Sequence, residues 1–190
     1  RLAHDTEACP GVLDALVGAA EETTSGLRPL RSFDLRVPVL ASNDARSKTL
    51  FDNAYGTGQS CWTTILDLID PRGVGAPVAG MSVVVIGYGD VGRGCARFGA
   101  ALGARVTVVE LDPVRALQAS MDGFTVASLE EAAASAGMLI SATGERSTIP
   151  LRALEATPED AIVTVAGGVD GEVSIDEAVA ASWVMAESGD

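Results

Sequence analysis

Histidine occurs once in the 190 residues, at His4. The chain therefore cannot build a histidine-based triad or a multi-histidine metal site around any motif farther along. Cysteine is almost as scarce. Cys9, Cys61 and Cys95 are odd in number and not in metal-ligand spacing, which fits free thiols in a reducing compartment and implies no metal. Basic residues are few, 13 Lys and Arg against 26 Asp and Glu, giving a net charge of -13. That acidity argues against non-specific binding to nucleic acid or to an anionic membrane, both of which need a basic surface. No uncharged apolar run approaches the roughly 20 residues that span a bilayer, and no signal-peptide pattern opens the chain. The expectation is a cytoplasmic protein with neither nucleic acid nor membrane as partner. The chain opens on Arg1 rather than Met, which reads as a processed product, a fragment, or the visible part of something longer.

What the chain does have is 47% hydrophobic residues, enough for one well-buried domain plus an appendage. In a first region, Leu13, Leu16, Val17 and Ala20 recur at helical spacing over Val12 to Ala20. Pro29 limits a following helix, and Phe33 to Leu40, around Pro38, reads as an extended edge segment. Next, Phe51, Tyr55, Trp62, Ile65, Leu66 and Ile69 share a helical face interrupted by Gly56 and Gly58. This predicts a helix over Ser60 to Asp70, stopped by Pro71. Pro71 to Gly80, rich in glycine and proline, reads as a linker.

From residue 80 onward, strands and helices alternate. Predicted strands are Val83–Ile86, Arg105–Glu110, Phe124–Val126, Met138–Ala142 and Ala161–Val165. Predicted helices are Asp90–Leu102, Pro113–Met121, Ser128–Ala136, Leu151–Ala156 and Ser174–Ala181. Ser128 with Glu131 and Ser174 with Glu177 have capping-box spacing. Such alternation predicts an α/β fold with a doubly wound, Rossmann-like parallel sheet over 71–190. Residues 1–70 would be the partial rim of a second domain and a hinge.

Gly87-Tyr88-Gly89-Asp90-Val91-Gly92 is a G-x-G-x-x-G pattern between the first of those strands and its helix. The pattern alone is weak, but this is the context it requires. Gly87 permits the tight turn, Gly89 lets the backbone approach a pyrophosphate, and Gly92 lets the helix pack close to the strand. The pyrophosphate would sit on the helix N-terminus formed by Asp90 and Val91, where free N–H groups favour an anion. Glu110 ends the second strand, where an acid accepts hydrogen bonds from the adenosine ribose and repels a 2′-phosphate, favouring NAD. Arg115, close behind, could tolerate that phosphate, so NADP stays open, as does a glycine turn with no cofactor. Ser141-Ala142-Thr143-Gly144 and Ala166-Gly167-Gly168 also fall at the carboxyl ends of strands, where small residues leave room for the nicotinamide half. Each could equally be an ordinary turn.

Two upstream stretches are unusually polar, Glu21-Glu22-Thr23-Thr24-Ser25-Gly26 and Asn43 to Gly56. Lys48 and Asp52 are four apart and share a helical face. On spacing alone they are most simply a surface ion pair. With the glycine motif in its full form GYGDVGRGCA, the runs EETTSG, NDxxxKxxFDNxYG, ELDPxxALQA and AIVTVAGG make Pro10 to Asp176 closely similar to the S-adenosylhomocysteine hydrolase (adenosylhomocysteinase) family. The resemblance implies an enzyme that holds NAD and uses it to oxidise the 3′-hydroxyl of a nucleoside. The ketone so formed would acidify C4′ and drive elimination and hydrolysis at C5′. It makes Lys48 the catalytic lysine, Asp52 the aspartate that binds the 3′-hydroxyl, and Asn43 and Asn53 the residues that orient lysine and cofactor. Glu22 would lie on the substrate side, and Thr23, Thr24 and Ser25 near the nicotinamide. A lysine serves as acid and base at the 3′-oxygen when burial lowers its pKa.

The chain also departs from the family pattern. Thr57 replaces a cysteine, Arg115 an asparagine, and Val165 another asparagine; Gly167-Gly168 stand where the family reads Gly-His. The family's long N-terminal part and its C-terminal tail have no counterpart here. The missing substrate domain would then come from a hetero-oligomeric partner chain, a homo-oligomer or an unseen segment. Gly168 and the shortened first region leave room for a divergent member, a nucleoside dehydratase or epimerase of nucleoside-antibiotic metabolism. A non-catalytic NAD-binding subunit is a further alternative. A 2-hydroxy-acid dehydrogenase would need a catalytic histidine, and only His4 is available.

Overall fold

The computed structural model describes residues 11, 15–75 and 77–181. Two compact units divide the chain, Arg1–Asp52 and Asn53–Asp190.

In the first unit, β1 (Ala19–Glu21) and β2 (Val39–Ala41) pair in parallel, with Ala19 opposite Val39. The Ala19 N–H donates to the Pro38 carbonyl at 3.0 Å, so the proline that lacks a donor still supplies an acceptor at the strand's entrance. This pairing overrides the helix expected through Ala20. Leu16 to Gly18 are not helical and Ala19–Glu21 are strand, while Val12–Asp14, with Leu13, lie outside the described residues. Of the extended segment expected over Phe33 to Leu40, only its last two residues enter β2. Helix α1 (Thr24–Leu30) carries Pro29 inside it and ends one residue later. A 3₁₀ turn, Ser42–Asp44, and one α-helical turn, Arg46–Lys48, follow.

A π-helical segment, Thr49–Gly56, leads into α2 (Thr57–Ile69). The helix thus starts ahead of Ser60 and runs through Gly58, while Gly56, the other glycine expected to interrupt it, closes the π-helical segment. The reason is packing against α3 (Asp90–Ala101). A Cβ on Gly58 would stand 2.7 Å from the Gly94 carbonyl carbon, and one on Gly94 would stand 2.0 Å from the Ala54 oxygen. A Cβ on Gly99 would meet the Trp62 ring at 2.7 Å, and the Trp62 indole N–H donates to the Cys95 carbonyl at 2.8 Å. Glycine's helix cost, about 1 kcal/mol each, is offset here by close helix approach and a buried tryptophan.

The second unit's sheet comprises β3 (Ser82–Ile86), β4 (Arg105–Val109), β5 (Thr125–Val126), β6 (Met138–Ser141) and β7 (Ile162–Val165). Its order is β5-β4-β3-β6-β7, and every pairing is parallel. Successive strand residues face opposite sides. Val83, Val85, Val108, Met138 and Ile140 pack with Trp62 and Cys95 on one side. Val84, Ile86, Val109 and Leu139 pack with Ala132 and Ala133 on the other. Because both faces are covered, the strands read as continuous apolar runs. The expected α/β fold with a doubly wound parallel sheet is the fold observed.

The remaining helices are α4 (Pro113–Met121), α5 (Leu129–Ala133), α6 (Leu151–Ala156) and α7 (Ile175–Ala180). The Ser128–Glu131 capping box forms, but the one expected at Ser174 does not. The Ser174 N–H is committed to the Ile149 carbonyl at 3.0 Å, next to the Ile149–Val173 bridge, and its hydroxyl is buried. Tertiary pairing sets the backbone of Ser174 in place of the cap. Helix α2 belongs to the unit that starts at Asn53.

Cys61 on α2 is half-buried and Cys95 on α3 is buried, and both are free thiols. A hydrogen bond from Cys95 pulls the Cys61 thiol down to about 7, while the same contact and burial push Cys95 up. The thiolate, which is the nucleophile, accumulates at Cys61 as pH rises through that value. Iodoacetamide labelling mapped by mass spectrometry should modify Cys61 with a midpoint near pH 7 and spare Cys95 in the folded chain. Equal labelling of the two would contradict this pairing.

Candidate functional site

The first unit gathers one group of polar side chains. The Lys48 ammonium donates to the Asn43 side-chain oxygen at 3.0 Å and lies 3.9 Å from the Asp52 carboxylate. Its side chain is 19% exposed, whereas that of Asp52 is 59% exposed, so one partner is sheltered and the other open. Asn43 is buried and also accepts from Thr24 at 3.4 Å. An exposed ion pair at this spacing contributes only about 0.3–0.5 kcal/mol, and the buried Asn43 gives the lysine a sheltered partner as well. Lys48 is also the chain's only lysine, a count that singles it out before any folding.

Of the hydroxyl run, Thr23 caps α1, its oxygen accepting from the Gly26 N–H at 3.0 Å. Its own hydroxyl and N–H donate to Glu21 at 2.6 and 2.8 Å. These bonds hold the Glu21 carboxyl below the usual carboxylate range. Glu21, which the sequence did not single out, is therefore the engaged acid, and neighbouring Glu22 is exposed. Ser25 lies in the first turn of α1.

In the second unit the glycine turn sits at the carboxyl end of β3. Gly87 has φ +93°, and its N–H donates to the Val109 carbonyl at 2.8 Å. A Cβ on Gly92 would stand 1.9 Å from the Gly87 oxygen. Beside Gly89 the nearest atom to such a Cβ is an Arg115 nitrogen at 3.8 Å, so the backbone there is open to a ligand. Gly89 caps α3 without a side-chain hydrogen bond, which leaves the first-turn N–H groups, that of Val91 among them, for an anion. Asp90, whose charge would repel that anion, is neutralised by Arg93 at 2.8 Å.

Glu110 follows β4, and three backbone N–H groups fix its carboxylate. Tyr88 donates to Oε2 at 2.7 Å, and Leu111 and Asp112 donate to Oε1 at 2.7 and 2.9 Å. Lone-pair capacity remains for ribose hydroxyls. Tyr88 is itself anchored, its phenol donating to Asp122 at 2.8 Å; burial, then Asp122, push its pKa up. These residues fit a dinucleotide such as NAD.

Across the sheet, Thr143 follows β6 and Gly144 has φ +64°. A Cβ on Gly87 would meet the Thr143 methyl at 3.0 Å, so the two strand ends touch. Gly167 lies just beyond β7, and buried Asn53 near the start of the unit. Sequence reasoning missed Glu172, which reads as part of a polar turn. Its carboxylate is 1% exposed, accepts from Ser141 and Thr143, and lies against Gly167. Among the described residues there is no metal-binding cluster, and no helix is long and apolar enough to cross a membrane.

Residues 53–187 match the family model for the S-adenosyl-L-homocysteine hydrolase NAD-binding domain. The chain belongs to the S-adenosyl-L-homocysteine hydrolase family. It is 45% identical over 168 residues to the adenosylhomocysteinase of Thermotoga maritima, covering 86% of this chain and 40% of that protein. It is 46% identical over 144 residues to the S-inosyl-L-homocysteine hydrolase of Methanothermobacter thermautotrophicus, covering 74% of this chain and 33% of that one. The chain thus spans about two-fifths or less of these relatives' length. Among solved structures, the dipicolinate synthase A chain from Bacillus subtilis superposes with TM-score 0.62 at 17% identity. It covers 85% of this chain and 53% of that one, a likeness of fold alone. The family match and the second compact unit begin at the same residue, Asn53.

Proposed function

We propose that this chain is the NAD-holding part of an S-adenosylhomocysteine hydrolase-like enzyme that transiently oxidises the 3′-hydroxyl of a purine nucleoside thioether. The observation that carries the reading is Lys48, held by Asn43 and flanked by Asp52, in a chain of this family. Relatives named for both adenosyl and inosyl substrates point to the sugar and thioether, rather than the base, as the shared chemistry.

The dinucleotide would be held at Gly87, Gly89, Asp90, Val91 and Gly92, with Glu110 on the adenosine ribose, Arg115 beside Gly89, and Thr143, Gly144 and Gly167 toward the nicotinamide. Asn53, Thr23, Thr24 and Ser25 would contribute from the preceding segments. NAD+, when bound, supplies the oxidant for the sugar's 3′ carbon and returns the hydride at the end. Lys48 takes the 3′-hydroxyl proton as general base and gives it back at the last step. Asp52 accepts a hydrogen bond from that hydroxyl and orients it, and Asn43 holds the lysine nitrogen in place. Once C3′ is a carbonyl, the C4′ proton is acidic, and its loss expels the 5′ thiolate; addition of water completes hydrolysis. Glu22 is assigned to the substrate side.

The substrate-side rim and hinge ahead of the Rossmann domain, a cytoplasmic location, and completion of the site by a homo-oligomer or a partner chain belong to the same proposal. Incubating the NAD-loaded chain with adenosine should raise the near-ultraviolet absorbance of reduced nicotinamide. A chain that binds no NAD ends the reading. A chain that binds NAD yet stays silent, even with its partner present, is a non-catalytic NAD-binding subunit. Gly168, standing where the family carries histidine, favours a second reading as a nucleoside dehydratase or epimerase. Product analysis separates the two, since hydrolysis releases the 5′ thiol and leaves the sugar's configuration unchanged.

A further inference from the structure

The second unit buries one carboxylate that the proposed reaction does not use. Glu172 is 1% exposed; its Oε2 accepts from the Ser141 and Thr143 hydroxyls, and its Oε1 has no hydrogen-bond partner. Among the described residues no cation lies within ion-pair distance of it. Gly167 must be glycine for it to fit, because a Cβ there would collide with Oε1. The backbone is equally committed, since the Ile149 N–H donates to the Glu172 carbonyl at 2.9 Å and the Ser147 N–H to the Gly171 carbonyl at 2.7 Å. A charge buried without a counter-ion is costly, and one at the ligand edge of a sheet points to a ligand of opposite sign.

Topology places it. Strand order β4-β3-β6-β7 puts Glu110 on one side of the Gly87 turn and Glu172, bound to the ends of β6 and β7, on the other. If Glu110 takes the adenosine half, the nicotinamide half lies over the ends of β6 and β7. The nicotinamide ring is cationic in NAD+ and neutral in NADH. We propose that Glu172 is a specificity-determining residue whose buried carboxylate selects the oxidised form of the cofactor. This rests on the dinucleotide reading above. It gives a resident cofactor a reason to start each turnover oxidised.

The test is the dissociation constant of the full chain for NAD+ and for NADH, measured separately by titration calorimetry. Wild type should bind NAD+ more tightly, and Glu172→Gln should shift the ratio toward NADH by about tenfold, the size expected for one charge across several ångströms of screened protein. Glu172→Asp, which keeps the charge, should leave the ratio near wild type even where both affinities fall. Equal weakening of both forms in Glu172→Gln overturns the proposal and makes the residue a clamp between two loops. A wild type that prefers NADH overturns it without any variant. Failure of wild type to bind either form removes the dinucleotide reading, and the proposal with it.

Discussion

Gly92→Ala is expected to abolish dinucleotide binding and to destabilise the sheet unit by about 3 kcal/mol, the upper end of the usual overpacking cost. The added Cβ would stand 1.9 Å from the Gly87 oxygen and 2.8 Å from its carbonyl carbon. Both are backbone atoms of a turn whose N–H is fixed to Val109. No rotamer change relieves the collision, so either α3 moves away from β3 or the turn opens, and each displaces the N–H groups that would face the pyrophosphate. Gly89→Ala separates the two effects. Its Cβ would find nothing nearer than an Arg115 nitrogen at 3.8 Å, so stability should change by less than about 1 kcal/mol while affinity falls, because the methyl occupies the ligand's approach. Urea unfolding and NAD titration on both variants check this, and a Gly92→Ala chain with the wild-type midpoint would sink it.

Lys48→Ala should lower the rate of sugar oxidation by about 10²- to 10⁴-fold, the usual span for a lost general base, and leave NAD affinity unchanged. Its structural cost should be small. Asn43 loses the 3.0 Å bond to Lys48 and keeps the longer 3.4 Å one from Thr24, a change worth about 1 kcal/mol. Lys48→Arg should not rescue the rate, because a guanidinium keeps its proton and cannot act as the base. Single-turnover absorbance of reduced nicotinamide, read beside NAD binding, distinguishes lost chemistry from lost cofactor. Oxidation at the wild-type rate in Lys48→Ala would remove Lys48 from the mechanism.

The β-α-β unit around Gly87 was legible because its determinants are local: an apolar run, glycines where a turn and a close contact demand them, and an acid after the next strand. Ser128 announced its capping box, and Gly103, at φ +90°, follows the C-cap of α3. The errors fell where a distant partner decided the backbone. Ala19 and Ala20 fit a helical period, yet they pair with Val39 and Leu40. Ser174 has the spacing of a cap, yet its N–H serves Ile149. Gly56 and Gly58 looked like helix breakers; Gly58 instead provides the close approach to Gly94.

By itself, the sequence determined the parallel α/β fold, the glycine turn, the acid at Glu110 and the family, since each is written in short-range pattern and residue identity. Only the tertiary structure decided that the second unit begins at Asn53 with α2 packed on α3, that Asn43 holds Lys48, and that Glu172 is buried against Gly167. The physical reason is that burial and hydrogen-bond partnership belong to pairs of residues. For Glu172 the partners Ser141 and Thr143 lie about thirty positions upstream, and no local pattern of charge or periodicity reports a contact made across strands.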